Sequence, residues 1–533
     1  MRESAAQRNE RIKAAKAPWD ILPDIERYAR DGYAAIDPED RDVRFRAWGI
    51  YTQGDGAGVF GQAVPRFMMR VRIPGGILTT VQARAVAALS RRHGRGLADV
   101  TNRQNIQLHW VEIGDVPAVF RGLAEVGLST QGACGDDTRN VTGCPVAGLD
   151  AGEVCDGSPV VREIDRRLNG NPAYGNLPRK FKICVAGCRE WCCYPEINDV
   201  GMTAVRRGEQ VGFSLRLGGG LSTAPRLGSR LDCFIPWAQA ADVAEAVAAI
   251  FRDSDCLREH RHKARMKYLY LQYGWDDERF LREIQARLGA PLPPAVPEDL
   301  PPDGARDHMG IHAQRRAGLF YVGATMRVGR SHADQLDALA ELADRYGCGE
   351  LRLTNAQNVI IPGVRDPEAL AGELETLGLP VSASPVERGT VACTGSEFCK
   401  LAITETKGFA AALAAELDRR IPEYPAESLR LHVTGCPNAC GQHWIAELGL
   451  QGVRMPNGAE GYEVFVGGGL GRDAAFVRRL GVRFPADEAA DRVEGLLRGY
   501  LLHRRDGERF RDFARRMPDP LLELWLGTAE AAS

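Results

Sequence analysis

Four cysteines in the last third of the chain are the residues best suited to chemistry. They form two close pairs, spaced Cys-x5-Cys and Cys-x3-Cys: Cys393, Cys399, Cys436 and Cys440. Four thiolates from two loops suit a tetrahedral zinc ion or an iron–sulfur cluster. Zinc sites prefer tighter Cys-x2-Cys pairs, and nothing else in the sequence indicates the oxidising compartment that disulfides require. The pattern therefore favours a metal ion or cluster.

Basic residues in the first half of the chain could bind and protonate a small anion. They are Arg103, Arg139, Lys180 and Lys182. Arginine supplies a fork of donors that stays charged, whereas lysine can shift its pKa and donate a proton. Alternation around Phe181 predicts a strand from which Lys180 and Lys182 project on the same face. Spacing alone favours a different interpretation, in which all four are solvated surface cations.

The sequences of the two cysteine motifs resemble those of the siroheme-containing nitrite and sulfite reductases. The motifs are Ala392-Cys-Thr-Gly-Ser-Glu-Phe-Cys-Lys400 and Gly435-Cys-Pro-Asn-Ala-Cys440. The resemblance covers the chain from about residue 45 to about residue 480. It implies two cofactors, siroheme and a [4Fe–4S] cluster. The four cysteines would hold the cluster, and Cys440 would also bridge to the siroheme iron. The four basic residues would surround the open face of the siroheme as anion binders and proton donors. With the resemblance, this role is preferred to that of solvated surface cations.

Two segments repeat at a separation of about half the chain. Thr101-Asn-Arg-Gln-Asn105 returns as Thr354-Asn-Ala-Gln-Asn358, and Gly187-Cys-Arg-Glu-Trp-Cys192 returns as the second cysteine motif. So long a period indicates a duplicated unit rather than a solenoid. Each half has a small strand–helix–strand unit and a larger α+β unit. The resemblance implies that the small units pair into one pseudo-symmetric domain, with the cofactors held between the halves.

The predicted fold class is α+β. Specifically, we expect the internally duplicated nitrite/sulfite reductase fold, in which two ferredoxin-like half-domains pair and two larger α/β domains bind siroheme. The predicted parts are a loosely built N-terminal arm (1–60), the first ferredoxin-like half-domain (61–130), the first siroheme-binding domain (131–305), the second ferredoxin-like half-domain (306–380), and the second siroheme and 4Fe-4S domain with C-terminal helices (381–533).

The two halves keep different numbers of cysteines. Where the second half has Cys393 and Cys399, the first half has Cys144 alone, together with the pair Cys188 and Cys192. One pair and one further thiol make a poor cluster site. The sequence therefore predicts inert core cysteines in the first half.

The resemblance implies an oxidoreductase that reduces sulfite to sulfide or nitrite to ammonia with six electrons. Substrate would bind the siroheme iron opposite Cys440. Lys182 favours sulfite modestly, because a second ammonium suits a substrate with two negative charges. Plant-type nitrite reductases usually have asparagine at that position, but other siroheme nitrite reductases carry lysine. The alternatives are a cobalamin-pathway oxygenase that keeps the cluster and a structural zinc-binding protein.

Electrons must come from a separate protein, a ferredoxin or a flavoprotein, because no flavin or nicotinamide motif follows a strand. Gly54-x-Gly56-x-Gly58 is predicted to be an ordinary loop, since no buried strand precedes it and no helix pattern follows. An arginine-rich segment near the C terminus, from Arg504 to Arg516, could dock an acidic carrier. A solvated helix face is the simpler interpretation.

Composition and charge exclude several classes of partner. The chain has 533 residues, of which 44% are hydrophobic and 26% charged, and its net charge is −2. That charge argues against binding nucleic acid or an anionic membrane surface. The N-terminal residues have no apolar core, and no apolar run is long enough to span a membrane. We expect a cytoplasmic monomer.

Overall fold

The computed structural model describes residues 3–53, 65–298, 300–301, 307–425 and 429–527. The glycine-rich loop at Gly54–Gly58 lies outside these residues, so its interpretation stays a prediction. Within the described ranges, no helix is long and apolar enough to cross a membrane.

The first half of the chain contains these helices and strands: α1 (Ala5–Ala15), α2 (Leu22–Asp31), α3 (Pro38–Asp42), β1 (Ile50–Thr52), β2 (Phe67–Val71), β3 (Ile77–Thr79), α4 (Thr80–His93), β4 (Leu97–Val100), β5 (Ile106–Val111), α5 (Val116–Ala124), β6 (Thr142–Gly143), α6 (Ser158–Leu168), β7 (Ile183–Ala186), β8 (Val200–Arg207), β9 (Gln210–Leu217), β10 (Ser229–Pro236), α7 (Ala240–Arg252), α8 (Lys267–Leu271) and α9 (Asp277–Leu288).

The second half contains β11 (Gly310–Ala313), β12 (Phe320–Ala324), β13 (Arg330–His332), α10 (Ala333–Tyr346), β14 (Glu350–Leu353), β15 (Val359–Val364), α11 (Pro367–Thr376), α12 (Pro385–Gly389), β16 (Thr390–Ala392), α13 (Lys407–Arg420), β17 (Leu431–Thr434), β18 (Leu448–Arg454), β19 (Glu460–Val466), β20 (Arg478–Pro485), α14 (Ala489–His503), α15 (Phe510–Arg516) and α16 (Asp519–Gly527).

The two ferredoxin-like half-domains exchange a strand. The first has the sheet order β1-β2-β5-β4-β13, and the second has the order β11-β12-β15-β14-β3. Strand β13 therefore completes the first sheet by pairing with β4, and β3 completes the second by pairing with β14. Each exchanged strand runs directly into the long helix of its own half, α4 or α10. The two helices pack together over one shared hydrophobic core.

Two glutamines lock this exchange in place. Gln104 and Gln357 occupy equivalent turns and both have left-handed backbone, with φ of 57° and 66°. The Gln104 side chain donates to Gly143 O and Leu353 O, and it accepts from Gly143 N–H. Gln357 repeats the arrangement by donating to Val100 O and accepting from Ala392 N–H. Each glutamine thus joins its own turn to the other half-domain and to a large domain.

The two large domains share one sheet topology. The first has the order β10-β9-β8-β7-β6 and the second has β16-β17-β18-β19-β20. In each, the first three strands in chain order are parallel and the remaining two are antiparallel. Helices α6 and α7 cover the first sheet, and α13 and α14 cover the second, each over its own core. The duplication predicted from the sequence is therefore present in the architecture.

The N-terminal arm differs from its prediction. Residues 1–60 were expected to be loosely built, but their described part forms α1–α3 and packs on the first large domain. Trp19 donates from its indole nitrogen to Asp137 at 2.9 Å, and the buried Lys13 donates to Leu177 O at 3.3 Å. The prolines that suggested a loop stand in first helical turns, where proline needs no hydrogen-bond partner for its nitrogen.

Substituting Gln104→Asn tests the glutamine lock. Asparagine tolerates the left-handed backbone but is too short to keep all three bonds. Because three buried groups then lose a partner, we expect the free energy of unfolding to fall by about 2–3 kcal/mol. Urea unfolding, followed by tryptophan fluorescence, measures this change. The control Gln272→Asn, at an exposed position, should leave the midpoint nearly unchanged, and equal midpoints for both variants would contradict the assignment.

Candidate active site

The four motif cysteines lie at one edge of the second large sheet. Strands β16 and β17 are parallel neighbours, so their carboxyl ends meet at the same edge. Cys393 follows the last residue of β16, and Cys436 follows β17 after one glycine. Cys399 and Cys440 lie farther along the same two loops. The sheet thus delivers both pairs to one place.

The distances between the sulfur atoms distinguish an iron–sulfur cluster site from a site for a single metal ion. A tetrahedral zinc ion, with Zn–S bonds of about 2.3 Å, holds its sulfurs about 3.8 Å apart. Within the described part of the chain, no three of these four sulfurs lie within 4.8 Å of one another. The arrangement therefore fits a cluster better than a lone zinc ion.

The thiols nevertheless influence one another. Burial, together with a smaller effect of the neighbouring cysteines, raises the pKa of Cys399 to about 12 and that of Cys436 to about 11. The pKa of Cys393 is raised by burial and then by Cys440. Crowded thiols resist ionisation until a cationic metal centre compensates the thiolate charge. The donor set has the chemistry of a metal-cluster site.

Backbone groups orient Cys393. The Gly435 N–H donates to its Sγ at 3.3 Å, and its own N–H donates to Val433 O at 3.1 Å. The Thr406 hydroxyl donates to the Cys393 carbonyl at 2.6 Å. Gly395 is required beside it, because it has a φ of +69° and a Cβ there would lie 2.5 Å from the Thr406 hydroxyl oxygen. The loop is held in one conformation before any ligand binds.

A turn of the first half-domain connects the cysteine loop to the basic residues. Asn102 donates from its amide to Cys440 O at 2.6 Å, and Asn355 donates to Asn102 O at 3.1 Å. The next residue, Arg103, reaches the first large domain, where it donates to Asn198 Oδ1 at 2.8 Å and to Asn140 O at 2.7 Å. Asn102 and Arg103 thus fix the cysteine loop relative to the segment that carries Arg139.

The four predicted basic residues interact electrostatically with one another. Arg139 is buried and donates to Ala133 O and Gly135 O at 3.1 and 2.7 Å. Burial and, to a smaller extent, Arg265 lower the pKa of Lys180 to about 7, while Cys440 opposes the shift. The pKa of Lys182 is lowered well below its usual value by burial and then by Arg103 and Lys180. Lys182 is thus coupled electrostatically to Arg103 and Lys180, and Lys180 is coupled to Cys440.

The predicted strand around Lys180 and Lys182 begins later than expected. Strand β7 starts at Ile183, and Phe181 makes only an isolated bridge to Thr138. The predicted alternation holds all the same, because Phe181 is fully buried while both lysines are partly exposed.

Comparisons with known proteins identify the family. The model described as "Nitrite and sulphite reductase 4Fe-4S domain" matches residues 134–292 and 385–518, and the "Nitrite/Sulfite reductase ferredoxin-like half domain" matches residues 60–126 and 312–371. The chain belongs to the nitrite and sulfite reductase family. The predictions of this family, of its duplicated α+β fold and of an oxidoreductase are confirmed.

Some relatives of this nitrite/sulfite reductase are named for sulfite and others for nitrite. "Sulfite reductase [ferredoxin] 2" of Mycolicibacterium paratuberculosis is 37% identical, over 95% of this chain and 94% of the relative. "Ferredoxin--nitrite reductase" of Leptolyngbya laminosa is 36% identical, over 93% and 97%. The solved structure of the Mycobacterium tuberculosis NirA protein has a TM-score of 0.91 and 36% identity, covering 97% of this chain and 98% of that one.

The cofactors of the family are siroheme and a [4Fe–4S] cluster, so the prediction of both is confirmed. The residues of this nitrite/sulfite reductase also fit such groups. Siroheme is a polycarboxylate, and the Nε atoms of Arg103, Arg139 and Arg265 are buried with no hydrogen-bond partner among the described residues. Cys440 is exposed, whereas Cys436 is buried. A thiol accessible beside a group of cations suits a macrocycle that carries iron and carboxylates.

The sequence did not reveal two further basic residues of the site, Arg265 and Lys267, or the carboxylate of Asp199 that binds Arg265. Arg265 donates to both carboxylate oxygens of Asp199, at 3.1 and 2.9 Å, and the Lys182 N–H donates to the same carboxylate at 2.9 Å. Lys267 donates to Leu221 O at 2.7 Å, and burial lowers its pKa to about 7. The spacing Arg265-Met-Lys267 resembles that of Lys180 and Lys182, but it lies far away in the sequence. Only folding brings Arg265 and the Lys182 backbone N–H to one carboxylate.

The pKa of Lys180 predicts how anion binding depends on pH. Because burial lowers this pKa to about 7, the ammonium is charged below pH 7 and loses its proton above it. Nitrite keeps one charge from pH 6 to pH 8, so its Kd for the oxidised holoenzyme should rise about tenfold over this range. Spectroscopic titration of the haem bands measures the Kd.

Lys180→Arg is the matched control for this titration. Arginine stays charged throughout the range, so nitrite affinity in this variant should be nearly independent of pH. A flat profile in the native enzyme, or an unchanged slope in Lys180→Arg, would show that Lys180 does not provide the titrating charge.

Proposed function

We propose that this chain is a ferredoxin-dependent reductase that converts sulfite to sulfide with six electrons. The observation that supports the proposal is the second ammonium: Lys182 interacts electrostatically with Arg103 and Lys180, and Lys180 in turn interacts with the exposed Cys440. Burial among other cations lowers the pKa of Lys182, and a bound dianion favours its charged form. A doubly charged oxyanion gains more from this arrangement than a singly charged one.

The cofactors occupy defined positions in this proposal. Cys393, Cys399, Cys436 and Cys440 would hold the [4Fe–4S] cluster, and Cys440 would also hold siroheme. When bound, siroheme would supply an iron for the substrate and the cluster would supply electrons.

The chain's own residues bind the substrate and supply protons. Arg103 and Arg139 bind its oxygens as permanent cations, and both are held by backbone carbonyls. Lys180 has a pKa of about 7, which suits an acid that must give up and regain a proton near neutral pH. Lys182 binds the second charge and provides a second proton. Each oxygen that leaves as water requires two protons, and the lysine pair can deliver them from the same side.

Reduction of nitrite to ammonia is the second candidate. Relatives of nearly equal similarity are named for it, among them the "Assimilatory ferredoxin-dependent nitrite reductase" of Haloferax mediterranei, which is 36% identical over 94% of this chain. The same four basic residues would bind a singly charged oxyanion, with Lys182 contributing less.

Ferredoxin is the electron donor that we propose, because the similar reductases carry that donor in their names. The arginine-rich segment does not provide an obvious docking surface. Arg511 is 1% exposed, and Arg515 donates from Nε to Gly467 O at 2.7 Å. Arg516 pairs with Glu508 at 2.8 Å. Much of the segment is thus bound within the fold. Arg511 belongs neither to a docking surface nor to a solvated helix face, the two interpretations considered from the sequence.

The substitution Lys182→Asn tests the proposed substrate. Removing one ammonium should lower kcat/KM for sulfite about tenfold, which corresponds to about 1.4 kcal/mol, and should change kcat/KM for nitrite less than about threefold. Both rates are measured side by side on the cofactor-loaded enzyme with reduced ferredoxin, then with reduced methyl viologen.

The control is Lys263→Asn, a partly exposed lysine of the same domain, which should leave both rates unchanged. A native enzyme that prefers nitrite, or a Lys182→Asn variant that loses both activities equally, would favour the second candidate and remove the role assigned to Lys182.

A further inference from the structure

Three cysteines and one histidine meet at the first large domain, in a place with no role in the proposed reaction. The Cys192 Sγ lies 3.4 Å from the Cys144 Sγ and 3.8 Å from the Cys188 Sγ. The ligand atoms of Cys144, Cys192 and His308 all lie within 4.8 Å of one another. Cys144 and Cys188 follow the parallel strands β6 and β7, whose carboxyl ends share one edge of the sheet. His308 comes from the segment just before β11.

The distances match one tetrahedral ion. Zinc–sulfur bonds of about 2.3 Å place the sulfurs of a tetrahedral site about 3.8 Å apart. The two measured separations are 3.4 and 3.8 Å. A disulfide needs sulfurs about 2.05 Å apart, and it would join only two of the three cysteines. Among the described residues, the ligand atoms of Cys144, Cys192 and His308 lie within 4.8 Å of one another, whereas no three of the four motif thiols of the second half do.

The surroundings are those of a structural site. Cys144 is 2%, Cys188 1%, Cys192 7% and His308 1% exposed. The three cysteines form one cluster with apolar neighbours, so ionised thiolates there require a cation to compensate their charge. The hydroxyl of the fully buried Tyr321 lies 3.4 Å from His308 Nδ1. A hydrogen-bonding group at the ring of a metal-binding histidine orients it towards the metal.

We propose that Cys144, Cys192 and His308 bind one zinc ion, with Cys188 as the fourth ligand. Three thiolates and one imidazole form a recognised structural zinc set, and soft thiolates select zinc over harder divalent ions. Cys188 completes the tetrahedron by a side-chain rotation, since its sulfur already lies 3.8 Å from that of Cys192. The prediction of inert core cysteines does not account for this convergence. The ion would link the segment before β11, which carries His308, to the loops after β6 and β7, which carry the three cysteines.

The internal repeat explains how such a site arises. Cys144, Cys188 and Cys192 occupy the positions that Cys393, Cys436 and Cys440 occupy in the second half. Position 150, which corresponds to Cys399, is an aspartate, and His308 joins from another segment of the chain. One duplicated loop pair therefore holds a cluster in the second half and a single ion in the first. The zinc site does not depend on which oxyanion the enzyme reduces.

Elemental analysis of the holoenzyme tests the proposal. The protein is purified from zinc-containing medium, without an affinity tag and after washing with EDTA. We expect about one zinc ion per chain in addition to the iron of the two cofactors. X-ray absorption at the zinc edge should show sulfur at about 2.3 Å and nitrogen at about 2.0 Å. Because this measurement uses the native protein, it remains decisive if the variants fold poorly.

Variants then assign the ligands. Cys192→Ser and His308→Gln should each lower bound zinc at least about fivefold and leave the iron content unchanged. Cys233→Ser is the matched control, because Cys233 is fully buried in the core of the same domain but outside the cluster, and it should retain its zinc. The proposal is overturned by a native enzyme without zinc, by iron at this site, by a disulfide among the three cysteines, or by equal zinc loss in the control.

Discussion

Gln104 and Gln357 each bind two distant parts of the chain with one side-chain amide. Both have left-handed backbone, and each accepts a hydrogen bond from the residue that precedes a candidate metal-binding cysteine: Gly143 before Cys144 and Ala392 before Cys393. The first turn also carries Asn102 and Arg103, which reach the cysteine loop and the basic segment. The position of the site therefore depends on these turns. Because one buried amide serves several partners, its loss would disturb the half-domains and the cysteine loops together.

Duplication supplies one scaffold twice, and side chains give the copies different chemistry. Arg103 corresponds to Ala356, so the cationic turn exists only in the first half. Cys399 corresponds to Asp150, so the full set of four motif cysteines exists only in the second. The proposed active site combines the basic residues of one half with the thiols of the other. Neither half could form it alone, which explains why the strand exchange and the glutamine turns hold the halves in one fixed relation.

The basic group concentrates positive charge where water is scarce. Burial lowers the pKa of Lys180 and of Lys267 to about 7, and Arg265 contributes in both cases. Asp199 offsets part of this charge through its bonds with Arg265 and the Lys182 N–H. Such a surplus of buried cations destabilises the fold unless an anion compensates it. It also gives the lysines the pKa that a proton donor needs at neutral pH. One arrangement thereby attracts an oxyanion and prepares its protonation.

The sequence by itself showed the internal repeat and the two cysteine pairs, because these are residue types at fixed spacing, and its resemblance to the nitrite and sulfite reductases indicated the family, the α+β fold and the cofactors. It also indicated a strand–helix–strand unit in each half, and α4 and α10 are the helices of those units. Tertiary structure decided what depends on distant segments: the exchanged strands, the convergence of Arg265 and Lys182 on Asp199, and the meeting of His308 with Cys144 and Cys192. The N-terminal arm was misread because proline marks a loop and a first helical turn equally well. Spacing along the chain reports local geometry, whereas these contacts arise only when buried groups need partners that the nearby sequence does not supply.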